Sequence, residues 1–254
     1  MVNGNSLDVL AIAAHPDDVE LNAGGTVCLL SRQGYRVGIA DLTKGELGSR
    51  GSPEGRKREA LAAGRVLGLT VRMNLGIADG NIADTPENRL EVIRVLRSYR
   101  PHIVLAHPLE CRHPDHTRAA RLTLDACYYS GLRKIETTEE DGTPQDPWRP
   151  HHILHYSEVL PFEPSFVVDV TETWDTRMRA MREFRSQFFN PGYKPEEDEP
   201  DTFVSNPDFF AWIEARARAY EYPIGATYGE PFQYRGSLRV PDLMALLGRD
   251  KPYR

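Results

Sequence analysis

Cysteine is scarce in this chain. Cys28, Cys111 and Cys127 are too few and too scattered for a disulfide framework, so a reducing compartment is the simple expectation. Long apolar runs are missing as well. No stretch approaches the roughly 20 residues that cross a bilayer, and the N-terminus lacks the basic segment and apolar segment of a secretory signal. A cytoplasmic protein without a membrane partner is therefore expected. There is no excess of basic charge either. The formal net charge of −6 argues against a nucleic-acid partner, though it leaves room for a local basic pocket that meets an anionic substrate. The Gly-x-Gly-x-x-Gly signature of a dinucleotide site is absent after the first apolar run, where His15-Pro16-Asp17-Asp18 stands instead. What remains is an ordinary globular composition, 40% hydrophobic and 27% charged, in a length of 254 residues that suits one core.

Apolar and amphipathic segments alternate through the first half. Val9–Ala13, Val37–Leu42, Val71–Leu75 and His102–Ala106 are predicted as strands, the last starting after Pro101. Thr26–Gln33, Glu54–Leu67, Asn88–Tyr99 and Asp115–Tyr129 are predicted as helices, with Gly34 and Gly68 as stop signals. This rhythm predicts an α/β fold: a mainly parallel sheet with helices on both faces. The second half is less regular. Thr137–Pro150 and Asn190–Pro207 are predicted loops, Ile153–Ser157 and Phe166–Val170 later strands, and Trp174–Gln187 and Phe209–Tyr220 helices. No repeat or linker divides the chain, so residues 1–254 are taken as one domain whose C-terminal part, from about 137 onward, is elaborated.

Chemistry concentrates at two places. Ala14-His15-Pro16-Asp17-Asp18-Val19-Glu20 follows the first apolar run directly, and in open α/β sheets ligands sit just beyond the carboxyl ends of strands. Far downstream come His107-Pro108 and His113-Pro114-Asp115-His116. Imidazoles and carboxylates together are the ligand set of catalytic zinc. His15 and Asp18 stand on a turn stiffened by Pro16, and His116 is the best third ligand; two His and one carboxylate leave a coordination position open. A lone His-x-x-Asp would more often cap a helix, and it is the second motif that tips the balance toward metal. Asp17, near a metal, could accept a proton from attacking water, or it could be a turn Asp. His113 lies three residues before His116, on the same helical side, and could stabilise an oxyanion. Asp115 could orient one of these imidazoles. Gly24-Gly25-Thr26 reads as the opening of the first helix, with N–H groups free for an anion or hydroxyl. Cys111 reads as packing, and His102, His107, His151, His152 and His155 as structural.

The two His/Asp motifs, with Thr43-Lys44-Gly45-Glu46, Arg56 and Glu59 between them, resemble the LmbE-like/PIG-L family of zinc-dependent N-deacetylases over most of the chain. Ser186-Gln187-Phe188 and Gly225-Ala226-Thr227-Tyr228-Gly229-Glu230-Pro231-Phe232 resemble a narrower branch that deacetylates N-acetylglucosaminyl malate in bacillithiol biosynthesis. The resemblance implies a Rossmann-like three-layer α/β/α sandwich and one Zn2+ per chain on His15, Asp18 and His116. It also implies Asp17 as general base, an N-acetyl amino-sugar substrate, and a homo-oligomer, with hexamers among relatives. It further implies that Arg56 meets a carboxylate of the substrate. Glu46 could hold Arg56 or meet a sugar hydroxyl, and Tyr193, Tyr220 and Tyr228 are candidates for the pocket wall. A different N-acetyl glycan such as a chitooligosaccharide remains an alternative substrate. A non-catalytic metal- or sugar-binding protein is the remoter alternative, and the presence of Asp17 speaks against it.

Overall fold

The computed structural model describes residues 6–195 and 199–247. Its central sheet has the order β3-β2-β1-β4-β5-β7-β6. The strands are β1 (Val9–Ala13), β2 (Val37–Asp41), β3 (Val71–Asn74), β4 (Ile103–Ala106), β5 (His152–Tyr156), β6 (Phe166–Asp169) and β7 (Gly229–Tyr234). β3, β2, β1, β4 and β5 run parallel, while β7 lies antiparallel to both β5 and β6. Side chains alternate along β1. Val9, Ala11 and Ala13 face one core and Leu10 and Ile12 the other, all buried. Burial on both faces explains why this strand is uninterrupted apolar sequence.

Helices cover both faces. The first core takes α1 (Asp18–Arg32), α2 (Pro53–Leu67), α5 (Trp174–Glu183) and α6 (Phe209–Arg218); the second takes α3 (Pro86–Tyr99) and α4 (Pro114–Tyr129). Two short helical pieces, α7 (Glu221–Ile224) and α8 (Leu243–Leu247), complete the described chain. No helix is long and apolar enough to cross a membrane. α2, α3 and α4 each begin with proline, whose missing N–H costs nothing in a first turn. Ser52, Thr85 and His113 cap them by accepting the N–H of Gly55, Asn88 and Asp115.

Three elements depart from the sequence reading. α5 stops at Glu183, not Gln187, because Ser186 leaves the helix to pair its N–H and hydroxyl with Glu59, both at 2.8 Å. β7 was not anticipated, since Pro231 and a buried Glu230 break its apolar pattern. The pairing with β5 begins only at Phe232, so Pro231 removes no ladder bond on that side. Finally, α1 starts at Asp18, and Gly24-Gly25-Thr26 lies in its interior.

The helix-start character read at those glycines nevertheless has a structural counterpart. The Glu230 carboxylate accepts from the Gly25 N–H (2.9 Å), the Thr26 N–H (2.7 Å) and the Thr26 hydroxyl (2.6 Å). One turn earlier, Arg177 donates to the carbonyls of Glu20 and Leu21, and Arg216 also donates to that of Leu21. β7, α5 and α6 thus grip the main chain of the helix that carries Asp18. A Cβ at Gly25 would lie 2.8 Å from the Val170 Cβ and 2.9 Å from Glu230 Oε1. Gly25→Ala is therefore expected to cost about 1–3 kcal/mol by overpacking. A urea midpoint equal to wild type would show that this contact yields freely.

Candidate active site

The strand order reverses between β1 and β4, and the site opens there, beyond their carboxyl ends. A cavity of about 460 Å³ is lined by His15, Asp17, Asp18, Arg56, His113, Asp115 and His116 among others. All the residues expected to act together thus face one space.

Asp18 bridges the two motifs. Its Oδ2 lies 3.5 Å from His15 Nδ1, and its Oδ1 lies 3.3 Å from His116 Nε2. Each imidazole turns its other nitrogen to a carboxylate behind it. His15 Nε2 is 3.0 Å from Asp79 Oδ1, and His116 Nδ1 is 2.6 Å from Glu158 Oε2. Such backing fixes the tautomer and aims the free nitrogen at a metal. Asp115 stands farther from His15 Nε2, at 3.5 Å, and accepts the Gly80 N–H. Its other oxygen, Oδ1, is buried without a hydrogen bond. Asp79 and Glu158 were not picked out from sequence. Each lies just past the carboxyl end of a parallel strand, β3 or β5, and that position was the available signal.

The electrostatics suit a cation. Burial opposes charge on His15, but hydrogen bonds and charge from Asp18 and Asp79 prevail and lift it to about 11. Burial would raise Asp18, yet His116, His107 and His15 hold it well below the usual carboxylate range. Asp18, Asp79 and Asp115 all crowd one imidazole, an excess of negative charge that a divalent ion relieves. Two imidazole nitrogens and a carboxylate are a donor set that zinc accepts.

Among the described residues, the ligating atoms of four groups lie within 4.8 Å of one another: His15, His113 and His116; Asp18, His107 and His116; Cys111, His116 and Glu158; and His15, Asp79 and Asp115. The set His15, Asp18 and His116 is not one of them, and its atoms would have to draw together around an ion. His107 has no nitrogen to spare. Its Nε2 accepts the Ala14 N–H at 2.7 Å, so its proton sits on Nδ1, 2.5 Å from Glu158 Oε1. His113 accepts the Asp115 N–H on Nδ1 at 3.2 Å, leaving Nε2–H as a donor. Burial, and then the neighbouring His116 and His15, lower its pKa, so it is a neutral imidazole. Cys111 reaches the cavity wall and donates to Glu158 at 2.8 Å; burial and that carboxylate push its thiol up to about 12.

Asp17 has φ +122°, a region rarely taken by non-glycine residues, and its turn aims the carboxylate into the cavity. Burial raises its pKa to about 7 against the pull of Arg56 and His15. Arg56 is buried too, and its Nη1 donates to Pro16 O (3.1 Å) and to Asp17 Oδ2 (3.2 Å). The guanidinium for which a substrate carboxylate was expected therefore has a partner inside the protein. Glu46 contacts neither Arg56 nor the cavity: it accepts the Asp79 and Lys44 N–H groups. Tyr193, Tyr220 and Tyr228 do not line the cavity. The aromatic residues that line it are Phe188, Phe203, Phe209 and Trp212.

Comparison with known proteins finds relatives in sequence and in fold. Residues 10–127 match the family model "PIG-L: GlcNAc-PI de-N-acetylase". A diacetylchitobiose deacetylase of Thermococcus kodakarensis is 31% identical over 191 residues, 71% of this chain and 70% of that one. A probable N-acetyl-alpha-D-glucosaminyl L-malate deacetylase of Bacillus cereus is 28% identical over 194 residues, 70% of this chain and 83% of that one. The crystal structure of a conserved protein from Thermus thermophilus, TT1542, superposes with a TM-score of 0.80 at 39% identity, covering 92% of this chain and 98% of that one. The motifs at the ends of β1 and β4, the fold and these relatives place the chain in the PIG-L family of N-deacetylases.

Proposed function

We propose that this protein is a zinc-dependent hydrolase that removes the acetyl group from an N-acetylglucosamine derivative, giving acetate and a free amine. The observation that carries the reading is the meeting of Asp17 with His15, Asp18 and His116 in one cavity. His15, Asp18 and His116 would hold the ion, which would supply Lewis acidity toward the acetyl carbonyl and toward water. Asp17 accepts the proton of the attacking water and returns it to the departing nitrogen. The carboxylate is half-buried and lines the same cavity as the proposed ligands, within reach of a water held there. His113, neutral and with Nε2–H to give, faces the oxyanion that forms as water adds. Arg56 holds Asp17 in its strained turn. Asp79 and Glu158 orient the two metal-binding imidazoles, with Asp115 beside His15.

N-acetylglucosaminyl malate is the first substrate to test, on the strength of the late motif and the Bacillus cereus relative. A neutral chitooligosaccharide is the second reading, favoured by the Thermococcus relative and by an aromatic wall on which sugar faces could stack. Acetate release from both compounds is the test; release from neither would remove the deacetylase reading.

The ligand assignment has its own check. His116→Ala is expected to lose tightly held metal. Glu158→Gln is expected to bind it about 10–100-fold more weakly, as when a partner behind a ligating histidine is removed. Near-stoichiometric metal in His116→Ala after dialysis would refute the ligand set.

A further inference from the structure

Arg216, on α6, lines the same cavity as Asp17 and Asp18. Its Nη2 donates to Leu21 O (2.9 Å) and to Asn22 Oδ1 (3.1 Å), and its Cζ stands 5.1 Å from the Trp212 ring centroid. Among the described residues no carboxylate lies within ion-pair distance of it, whereas Arg56 and Arg177 each have one and Arg72 has two. Burial, and then the like charge of Arg177, depress its pKa to about 10, against the opposing pull of the more distant Glu230 and Glu158. A half-buried guanidinium with no directly paired carboxylate has ion-pairing capacity left over, and an anion entering the cavity would supply the pair.

Its place along α1 suits such a role. Asn22 receives Arg216 through its side-chain oxygen and, through Nδ2, donates to Asp18 O at 2.9 Å. Residues 18 and 22 are one helical turn apart, about 6 Å along the axis, comparable to the width of a sugar ring. A substrate whose acetamide lies at Asp17 and Asp18 can therefore carry a second group to Arg216. Phe209 and Trp212 border the path and admit a ring.

We propose that Arg216 is the specificity-determining residue of the cavity and selects N-acetyl amino sugars that bear an anionic substituent, a carboxylate or a phosphate. This rests on the deacetylase reading above.

Acetate release by the metal-loaded protein is to be measured with N-acetylglucosaminyl malate, N-acetylglucosamine 1-phosphate and the neutral methyl N-acetylglucosaminide. Wild type, Arg216→Gln and Arg216→Lys are compared. Wild type should prefer at least one anionic compound, and the better of the two identifies the anion. Arg216→Gln should lose about 10- to 100-fold in kcat/KM on that compound, the scale of a charged hydrogen-bond pair. The loss should lie mainly in KM, with the neutral compound changed less than about threefold. Arg216→Lys should keep part of the preference, and it carries the test if the Gln variant does not fold. Equal losses on all three compounds would make Arg216 a prop for α1 and overturn the proposal. So would a wild type that favours the neutral compound. Acetate from none of them would instead defeat the deacetylase reading, and this proposal with it.

Discussion

Asp17→Asn protein is expected to hold its divalent metal as tightly as wild type and to lose about 10²–10⁴-fold in kcat. The amide keeps the shape of the carboxylate but cannot take a proton from water. Asn is among the few residues that tolerate positive φ, so the turn at φ +122° should survive the change. Arg56 keeps the Pro16 carbonyl as an acceptor at 3.1 Å, so the cation is not stranded. Metal content and kcat measured on one preparation separate the outcomes. Wild-type kcat with full metal would mean that Asp17 is not the base, and loss of metal would mean that it helps to hold the ion. Arg56→Met provides a second arm. If Arg56 acts through Asp17, Arg56→Met should lower kcat alike on anionic and neutral sugars; a loss confined to the anionic compound would return Arg56 to a direct role in recognition.

How much of this was legible in the sequence differs between its halves. The alternation of strand and helix up to Tyr129 was readable because strands buried on both faces, such as β1 and β2, are nearly uninterrupted apolar runs, and because Gly34 and Gly68 mark where helices stop. That His15, Asp17, Asp18, His113, Asp115 and His116 would face one space was readable because a reactive cluster after an apolar run marks the carboxyl end of a strand. In the C-terminal half β5, β6, α5 and α6 were readable too, but β7 and the contacts that tie these elements to the rest were not, and the reason is physical. Polar residues of that half make long-range contacts that leave no periodic trace: Glu230 holds Gly25 and Thr26, Glu59 holds Ser186, and Gln187 donates to the Arg50 carbonyl. The pocket wall fell to Phe188, Phe203, Phe209 and Trp212 because the hydroxyls of the favoured Tyr193 and Tyr228 are spent on Glu199 and Glu214. Glu20 closes the first His/Asp motif yet points away from the cavity chemistry. It serves a buried ion cluster, and its value is to stability.

That cluster yields the largest expected loss of stability. The Arg72 guanidinium pairs bidentately with Asp41, at 2.8 and 3.0 Å, donates to the Ala60 carbonyl at 3.1 Å, and binds Glu20 through Nη1. All three side chains are almost wholly shielded from solvent. Burial raises the pKa of both carboxyls, and Arg72 is the main force that lowers them. Arg72→Met would leave two neighbouring acids in the interior without a counter-charge, which typically costs about 3–5 kcal/mol. The carboxyls would then sit further above their unfolded values, so folding would favour their protonated forms. That penalty is absent below the unfolded pKa values and grows as pH rises toward the folded ones. Arg72→Met should accordingly be less destabilised at pH 5 than at pH 8, and adding Glu20→Gln and Asp41→Asn should recover much of the loss at pH 8. Urea unfolding of the single and triple variants at both pH values is the measurement. A deficit under about 1 kcal/mol, or one that does not change with pH, would show that the cluster is hydrated and that α1 is held on the sheet by its apolar face alone.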